Sequence, residues 1–332
     1  MIKYNKTPTI RTLPKNIPFK DLYLFEKELL RWIPKQNYRI VKNTIIINNT
    51  ILKPFFLRLF IRSTFFESPG IKKIFKDTAK DLVRSKKKIS VINKASWILD
   101  HKSPVYFHFI CDTLSRSMLI ENHIKNYPVL LTHDLKGKKF IYEFLDYLEI
   151  PYIQMENQYY YIKELLLTNH TAPSGNYNPH LIRKLSSRFT HPLADLDTQK
   201  RRIWIDRKNE RRDIKNWDEV LEKLKQFNFE IINFKDYSIY EKKKLMADTE
   251  FLMGVFGSGL TNMIMLPKNA NVIELRNRDD SHNNAFFSLA SELRLPYHYF
   301  EVDIVGHITH GEVLIDICKF ENFLISIFGE SF

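Results

Sequence analysis

Between Arg202 and Val302 the chain alternates short apolar runs with amphipathic stretches, and this alternation narrows the fold more than any other feature. Arg202-Ile203-Trp204-Ile205, Phe229-Glu230-Ile231-Ile232, Phe251 to Phe256, Asn271 to Leu275 and Tyr297 to Val302 are predicted strands. The stretches between them are predicted helices: Asn216 to Phe227, with Asn216 placed to cap it, Tyr240 to Ala247, the segment after the glycines to Leu266, and Ser281 to Arg294. Strands separated by helices pair in parallel, so a helix-covered parallel sheet is expected.

A similar series comes first. Ile89 to Leu99, bounded by Lys88 and Asp100, is a predicted strand, followed by a helix from Tyr106 to His123 with Phe107, Ile110, Leu114, Met118 and Leu119 on one face. Pro128 to Leu131 and Pro151 to Met155 are short strand candidates around a helix from Lys139 to Leu148. Loop formers gather between His170 and Asn178, then a helix over Pro179 to Phe189 and a loop with Pro192 lead to the second series. The first hundred residues, broken by Pro18, Pro34, Pro54 and Pro69, are expected to be irregular. The resulting division is a basic N-terminal extension over 1–88 packing on the first lobe, Rossmann-like lobes over 89–192 and 193–305, and a C-terminal helix or tail over 306–332.

Composition bounds the class. The 332 residues are 44% hydrophobic, enough for a sizeable core. Cys111 and Cys318 are too few for a disulfide framework or a four-ligand zinc site, and no His/Cys/Asp cluster has metal-ligand spacing. No apolar run is long enough to cross a membrane, and Met1 to Lys15 is polar and interrupted by prolines, unlike a secretion signal. A soluble, cytoplasmic protein is the expectation. The net charge of +13 is uneven: residues 1–100 hold 22 Lys and Arg against 7 Asp and Glu, and the remainder is close to neutral. Such a field suits an anionic partner such as membrane lipid, an anionic glycan or nucleic acid. Lys72, Lys73, Lys76 and the run Lys86-Lys87-Lys88 alternate with Phe and Ile as a basic amphipathic helix would, with no nucleic-acid module signature beside them.

The sharpest local feature is Gly254-Val255-Phe256-Gly257-Ser258-Gly259-Leu260-Thr261-Asn262, a glycine turn between a strand and a helix. Glycines admit close backbone approach, and free amides at a helix start favour a phosphate. The turn lacks the Lys-Ser/Thr of a Walker loop and does not match the dinucleotide fingerprint, so a tight connection without ligand stays open. Arg207, Arg211 and Arg212 follow the strand ending at Ile205, whose carboxyl end opens on the same side; guanidinium groups bind phosphate bidentately, though a solvated charged face stays open, more for Arg211 than for Arg207. Glu274, read as ending its strand, could hold ribose hydroxyls or be an edge carboxylate. His108 and Asp112, at i and i+4 on a helix, share a face and could deprotonate a hydroxyl or serve only structure. No Gly-x-Ser-x-Gly elbow is present.

Together these residues resemble glycosyltransferase family 61, which holds bacterial capsular-polysaccharide proteins, plant xylan arabinosyl- and xylosyltransferases, and animal enzymes that add N-acetylglucosamine to protein O-linked sites. The resemblance spans about residues 100–303 and has three anchors in order: His108 and Asp112; Ile203 to Arg207 with Arg212 and Asn216; and the turn Gly254 to Asn262 followed by Val272-Ile273-Glu274-Leu275. It implies a GT-B-type α/β fold of two Rossmann-like lobes facing a cleft, the first for the acceptor and the second for a nucleotide sugar. It also implies an inverting transfer to a glycan hydroxyl without a metal or other cofactor, Asp112 being the base and His108 orienting it or the acceptor, or the reverse. Where the family turn carries His, this chain has Phe256, and Ser258 stands for Ala. The expected setting is capsule or lipopolysaccharide synthesis on a lipid-linked or polymeric glycan, in the cytoplasm at the inner membrane face, where the basic N-terminal third would meet anionic lipid. The competing readings are an inactive nucleotide-sugar-binding scaffold, prompted by Phe256, and a nucleic-acid-binding protein, prompted by the N-terminal charge.

Overall fold

The alternating series closes into one sheet in the order Phe229–Ile232, Arg201–Ile205, Thr249–Val255, Asn271–Asn277, Tyr297–Val305, Glu312–Leu314. The first five strands are parallel and Glu312–Leu314 is antiparallel to its neighbour. This is a computed structural model, and it describes residues 6–47, 49–53, 58–59, 76, 79, 83, 86–156, 158–190, 200–208, 211–307 and 311–330. The chain divides into two units, Trp32–Leu185 with Met1–Thr7 and Ser186–Phe332 with Pro8–Arg31.

In the second unit the chain leaves Arg201–Ile205 toward one side of the sheet and returns on its other side as Thr249–Val255. The order reverses between those two strands, and at such a switch point the diverging loops open a crevice beyond the carboxyl ends. Asp206 and Arg207 follow one strand end and Phe256 and Gly257 the other, so the sheet's topology brings these two segments side by side. Helices Trp217–Gln226 and Ile317–Phe328 cover a core of Trp204, Phe229, Met253, Phe300 and Phe320. Asn216 precedes its helix as expected but makes no side-chain cap; its amide donates to Ile315 O (2.8 Å) and accepts from Ile315 N (3.2 Å), tying the helix start to the C-terminal segment.

Residues 8–31 group with this second unit and not with the first lobe as the sequence suggested. Leu24 and Phe25 are fully buried, Phe25 lying 4.8 Å from the Phe287 ring. Buried Arg11 bridges Glu28 (2.8 Å) and Glu292 (3.2 Å), so burial of aromatics and of an ion-paired arginine decides where this segment goes.

The first unit carries a sheet in the order Arg58–Leu59, Thr50–Lys53, Tyr38–Ile47, Gln158–Thr168, Lys86–Trp97, Val129–Leu131, Tyr152–Gln154. Its last four strands run parallel, and the first three add antiparallel. The N-terminal third is therefore not irregular throughout, because Tyr38–Ile47 and Thr50–Lys53 form a hairpin. Lys86 to Lys88 open a strand and not a basic helix. Lys72 and Lys73 lie outside the described residues, and Lys76 is exposed. Among the described residues no helix is long and apolar enough to cross a membrane. Both units are mixed α/β, the second with a parallel sheet except for its last strand and the first with a sheet half parallel and half antiparallel.

Candidate active site

The three glycines of the turn answer two steric demands. A Cβ on Gly254 would stand 3.0 Å from Ile205 Cβ, and one on Gly259 only 2.8 Å from Ile205 Cγ2, so both let the turn close on the neighbouring strand end. Gly257 has φ +151°, a region open in practice to glycine, and a Cβ there would fall 2.1 Å from Arg207 Nη1 and 3.2 Å from Arg212 Nη2. Two guanidinium groups thus lie directly on Gly257, at the start of the 3₁₀ helix Ser258–Met265. Within that helix Leu260, Thr261 and Asn262 are buried, and Asn262 Nδ2 donates to Gly259 O (2.8 Å).

The arginines are held differently. Arg207 Nη1 donates to Phe256 O (3.0 Å). Arg212, itself at φ +64°, stacks its guanidinium 4.6 Å from the Phe256 ring centre, and its buried Nε has no hydrogen-bond partner among the described residues. Burial, with Arg207 and then Arg211 as like charges, lowers the Arg212 pKa to about 10. A cation whose charged form is disfavoured by its own neighbours gains most from an arriving anion. Arg211 is exposed, contributing charge at longer range. Beside them a small, open crevice is lined by Trp204, Asp206, Arg207, Arg212, Asp213 and Trp217.

Glu274 sits mid-strand, level with Gly254, and not at a strand end, because pairing continues to Asn277. It is 1% exposed and accepts from Tyr297 Oη at 2.6 Å. Burial, opposed by Arg276 and the Tyr297 bond, pushes its pKa from 4.5 up to about 7. Holding that proton stabilises the fold fully below about pH 4.5, and the contribution is lost as pH rises through about 7. Glu274→Gln is therefore expected to melt a few degrees above the wild type at pH 8–9 with no gain at pH 4, read by thermal denaturation across pH.

In the first unit, Tyr106 to Ile124 is not one α-helix. An α turn, Tyr106–His108, passes into a π-helix, Phe109–Leu114, and back to α at Ser115–Leu119, a rare local widening found often at functional sites. His108 and Asp112 still meet, Nδ1 to Oδ2 at 2.7 Å. Asp112 is 5% exposed in its side chain against 18% for His108. Burial raises the Asp112 pKa to about 6, the His108 hydrogen bond and charge pull it down, and Asp100 adds to the rise.

Asp100 and His170 are the residues that sequence reasoning missed. Asp100 lies just beyond the strand Lys86–Trp97 and His170 just beyond Gln158–Thr168, its parallel neighbour, with His170 Nδ1 3.8 Å from Asp100 Oδ2. Fully buried Arg116 donates to Leu99 O and Thr168 O beneath them. Asp100 was legible as the residue bounding a predicted strand, at the end where α/β ligands bind. His170 required the strand Gln158–Thr168, which was not recognised.

A family profile described as Glycosyltransferase 61 matches residues 106–273, just over half of the chain. The match opens at the helix bearing His108 and Asp112 and closes one residue short of Glu274, spanning the arginines and the glycine turn. A mouse protein, EGF domain-specific O-linked N-acetylglucosamine transferase, is 29% identical over 164 residues, covering 44% of this chain and 31% of that protein. The chain thus spans about a third of the length of that relative.

Proposed function

This chain belongs to glycosyltransferase family 61, and from that premise we propose that it moves a sugar from a nucleotide-sugar donor to a glycan hydroxyl with inversion, in the two-lobed GT-B manner the family implies. The observation that carries the reading is the pairing of Arg207 and Arg212 over Gly257 at the switch point, Arg212 having no hydrogen-bond or ion-pair partner among the described residues. A diphosphate answers that arrangement: two planar cations for its oxygens and helix-start amides behind them.

In the proposed reaction the acceptor oxygen bonds to the anomeric carbon as the bond from that carbon to the diphosphate breaks, through an oxocarbenium-like state. Arg207, Arg212 and the amides after Gly257 take up the charge growing on the leaving diphosphate, the work a metal does elsewhere. The acceptor proton goes to the His108–Asp112 pair. The exposure of the pair favours His108 as the group that meets the hydroxyl through Nε2, with Asp112 holding Nδ1 and stabilising the imidazolium. Glu274, bonded to Tyr297, is assigned to supporting the Arg212 charge from within the sheet. Cell-surface polysaccharide, capsule or lipopolysaccharide, is the proposed product class, made in the cytoplasm at a membrane face. Support for this setting comes from the family and from the basic first hundred residues.

The test is a melting-temperature panel of UDP, GDP, CMP and their sugars on the purified chain, with and without magnesium. UDP-N-acetylglucosamine goes first, because the mouse relative's name carries that sugar. One nucleotide should raise the melting temperature independently of magnesium, and Arg207→Ala should abolish the rise. A shift without sugar transfer would favour the scaffold reading, and no shift with any member would overturn the donor site and favour the nucleic-acid reading.

A further inference from the structure

We propose that Phe256 is a positioning residue for this anion site: its ring fixes the Arg212 guanidinium over the glycine turn, so tight diphosphate binding depends on an aromatic side chain at position 256. The inference rests on the functional reading above and deepens it.

The two arginines over Gly257 are unequal. Arg207 is anchored by a hydrogen bond to the Phe256 carbonyl, an acceptor that any residue at 256 would supply. Arg212 makes no hydrogen bond or ion pair among the described residues, and its Nε is buried without an acceptor. Its like-charged neighbours, Arg207 and Arg211, push it away, and the Glu274 charge attracts it from inside the sheet. What lies in contact with the guanidinium plane is the Phe256 ring, 4.6 Å away. An arginine side chain has many rotamers, and stacking on a ring face selects the few that lie flat. Phe256 can act as a platform because it is itself immobile. It is 6% exposed, packed in the cluster of Trp204, Leu275 and Phe300, and its backbone N–H donates to Leu275 O (2.8 Å). A phenyl ring fills that cluster with no polar atom to satisfy, where the family's histidine would bring two ring nitrogens. The cation is thus arranged before the anion arrives, which removes an ordering cost from binding.

The experiment titrates the full-length chain with inorganic pyrophosphate and with UDP by calorimetry. Phe256→Leu keeps the apolar volume and loses the ring; it should weaken both ligands about tenfold. Phe256→Tyr keeps the ring; its added hydroxyl will cost stability, but affinity corrected for the folded fraction should stay within about twofold of wild type. In an Arg212→Ala background Phe256→Leu should cost nothing further, since the ring acts through that arginine. Equal affinity of Phe256→Leu and wild type, or an undiminished loss in the Arg212→Ala background, would overturn the proposal. If Phe256→Leu does not fold, Arg212→Lys asks the same question, keeping the charge without the plane; a loss below about twofold overturns it. A wild type that binds neither ligand would defeat the functional reading itself, whereas a binding wild type with an indifferent Phe256→Leu defeats only this inference.

Discussion

Asp112→Asn is expected to lower sugar transfer by about 10²–10⁴-fold and, above pH 7, to raise the melting temperature. The two effects have one origin. Asp112 is buried beneath His108, and burial has lifted its pKa from 3.8 to about 6. The folded protein therefore holds a proton that the unfolded chain has already released, and this contribution is complete below about pH 4 and lost as pH climbs through about 6. At neutral pH the carboxylate is ionised at a cost to the fold, of up to about 3 kcal/mol from the size of the shift. Asparagine removes that cost and keeps an oxygen for His108 Nδ1, but it cannot stabilise the imidazolium formed when the acceptor proton is taken. Transfer by the wild type should correspondingly fall as pH drops through about 6, where Asp112 takes up its proton. Thermal melts at pH 5 and 8, beside initial rates with the donor found by the nucleotide panel, measure both effects. A variant that loses stability at pH 8 while retaining transfer within tenfold would mark the pair as structural.

Gly257→Ala is expected to weaken pyrophosphate binding by more than about tenfold and to destabilise the chain by about 1–3 kcal/mol. The stability loss follows from φ +151°, which a side chain tolerates poorly. The binding loss follows from the new methyl standing 2.1 Å from Arg207 Nη1. The guanidinium is the far end of a flexible chain, so it will swing aside and not unfold the turn, giving up its bond to Phe256 O and its place over the helix start. Gly254 and Gly259 make useful comparisons, since the atoms nearest to an added methyl at either belong to Ile205. Calorimetric titration with pyrophosphate, corrected by urea denaturation for the folded fraction, separates the two effects. Retained affinity in a folded Gly257→Ala would show that Arg207 does not need its position over the turn.

The second unit was largely legible because each of its strands and helices carries its own pattern. Arg201–Ile205, Thr249–Val255 and Trp217–Gln226 lie within a residue or two of where apolar runs and spacing place them. The first unit was less so. Gln158–Thr168 is the strand through which antiparallel and parallel halves of its sheet join, and it was missed. Burial alternates over Gln158 to Ile162, but three consecutive tyrosines give the sequence no matching period, and Leu165, Leu166 and Leu167 beyond them are all buried. A strand covered on both faces has no polar side to give it a period. The hairpin of Tyr38–Ile47 and Thr50–Lys53 did leave a signal, two residues between apolar runs, which the surrounding prolines obscured.

For the site the division is similar. Sequence by itself determined the chemistry: the glycines that admit close approach, the arginines after a strand, and a His and Asp one helical turn apart, because identity and local spacing are properties of the chain. Only the tertiary structure decided which of these groups act on one another. Strand order brings Arg207 beside Gly257 across forty-odd residues of intervening chain, packing lays Arg212 on Phe256, and burial sets Asp112 and Glu274 near neutrality. Glu274 looked like a strand end because the pattern of apolar residues fades after Leu275, yet pairing with Tyr297–Val305 carries the strand to Asn277 and seals the carboxyl inside. Desolvation and long-range pairing depend on neighbours distant in the chain, so no local reading of the residues contains them.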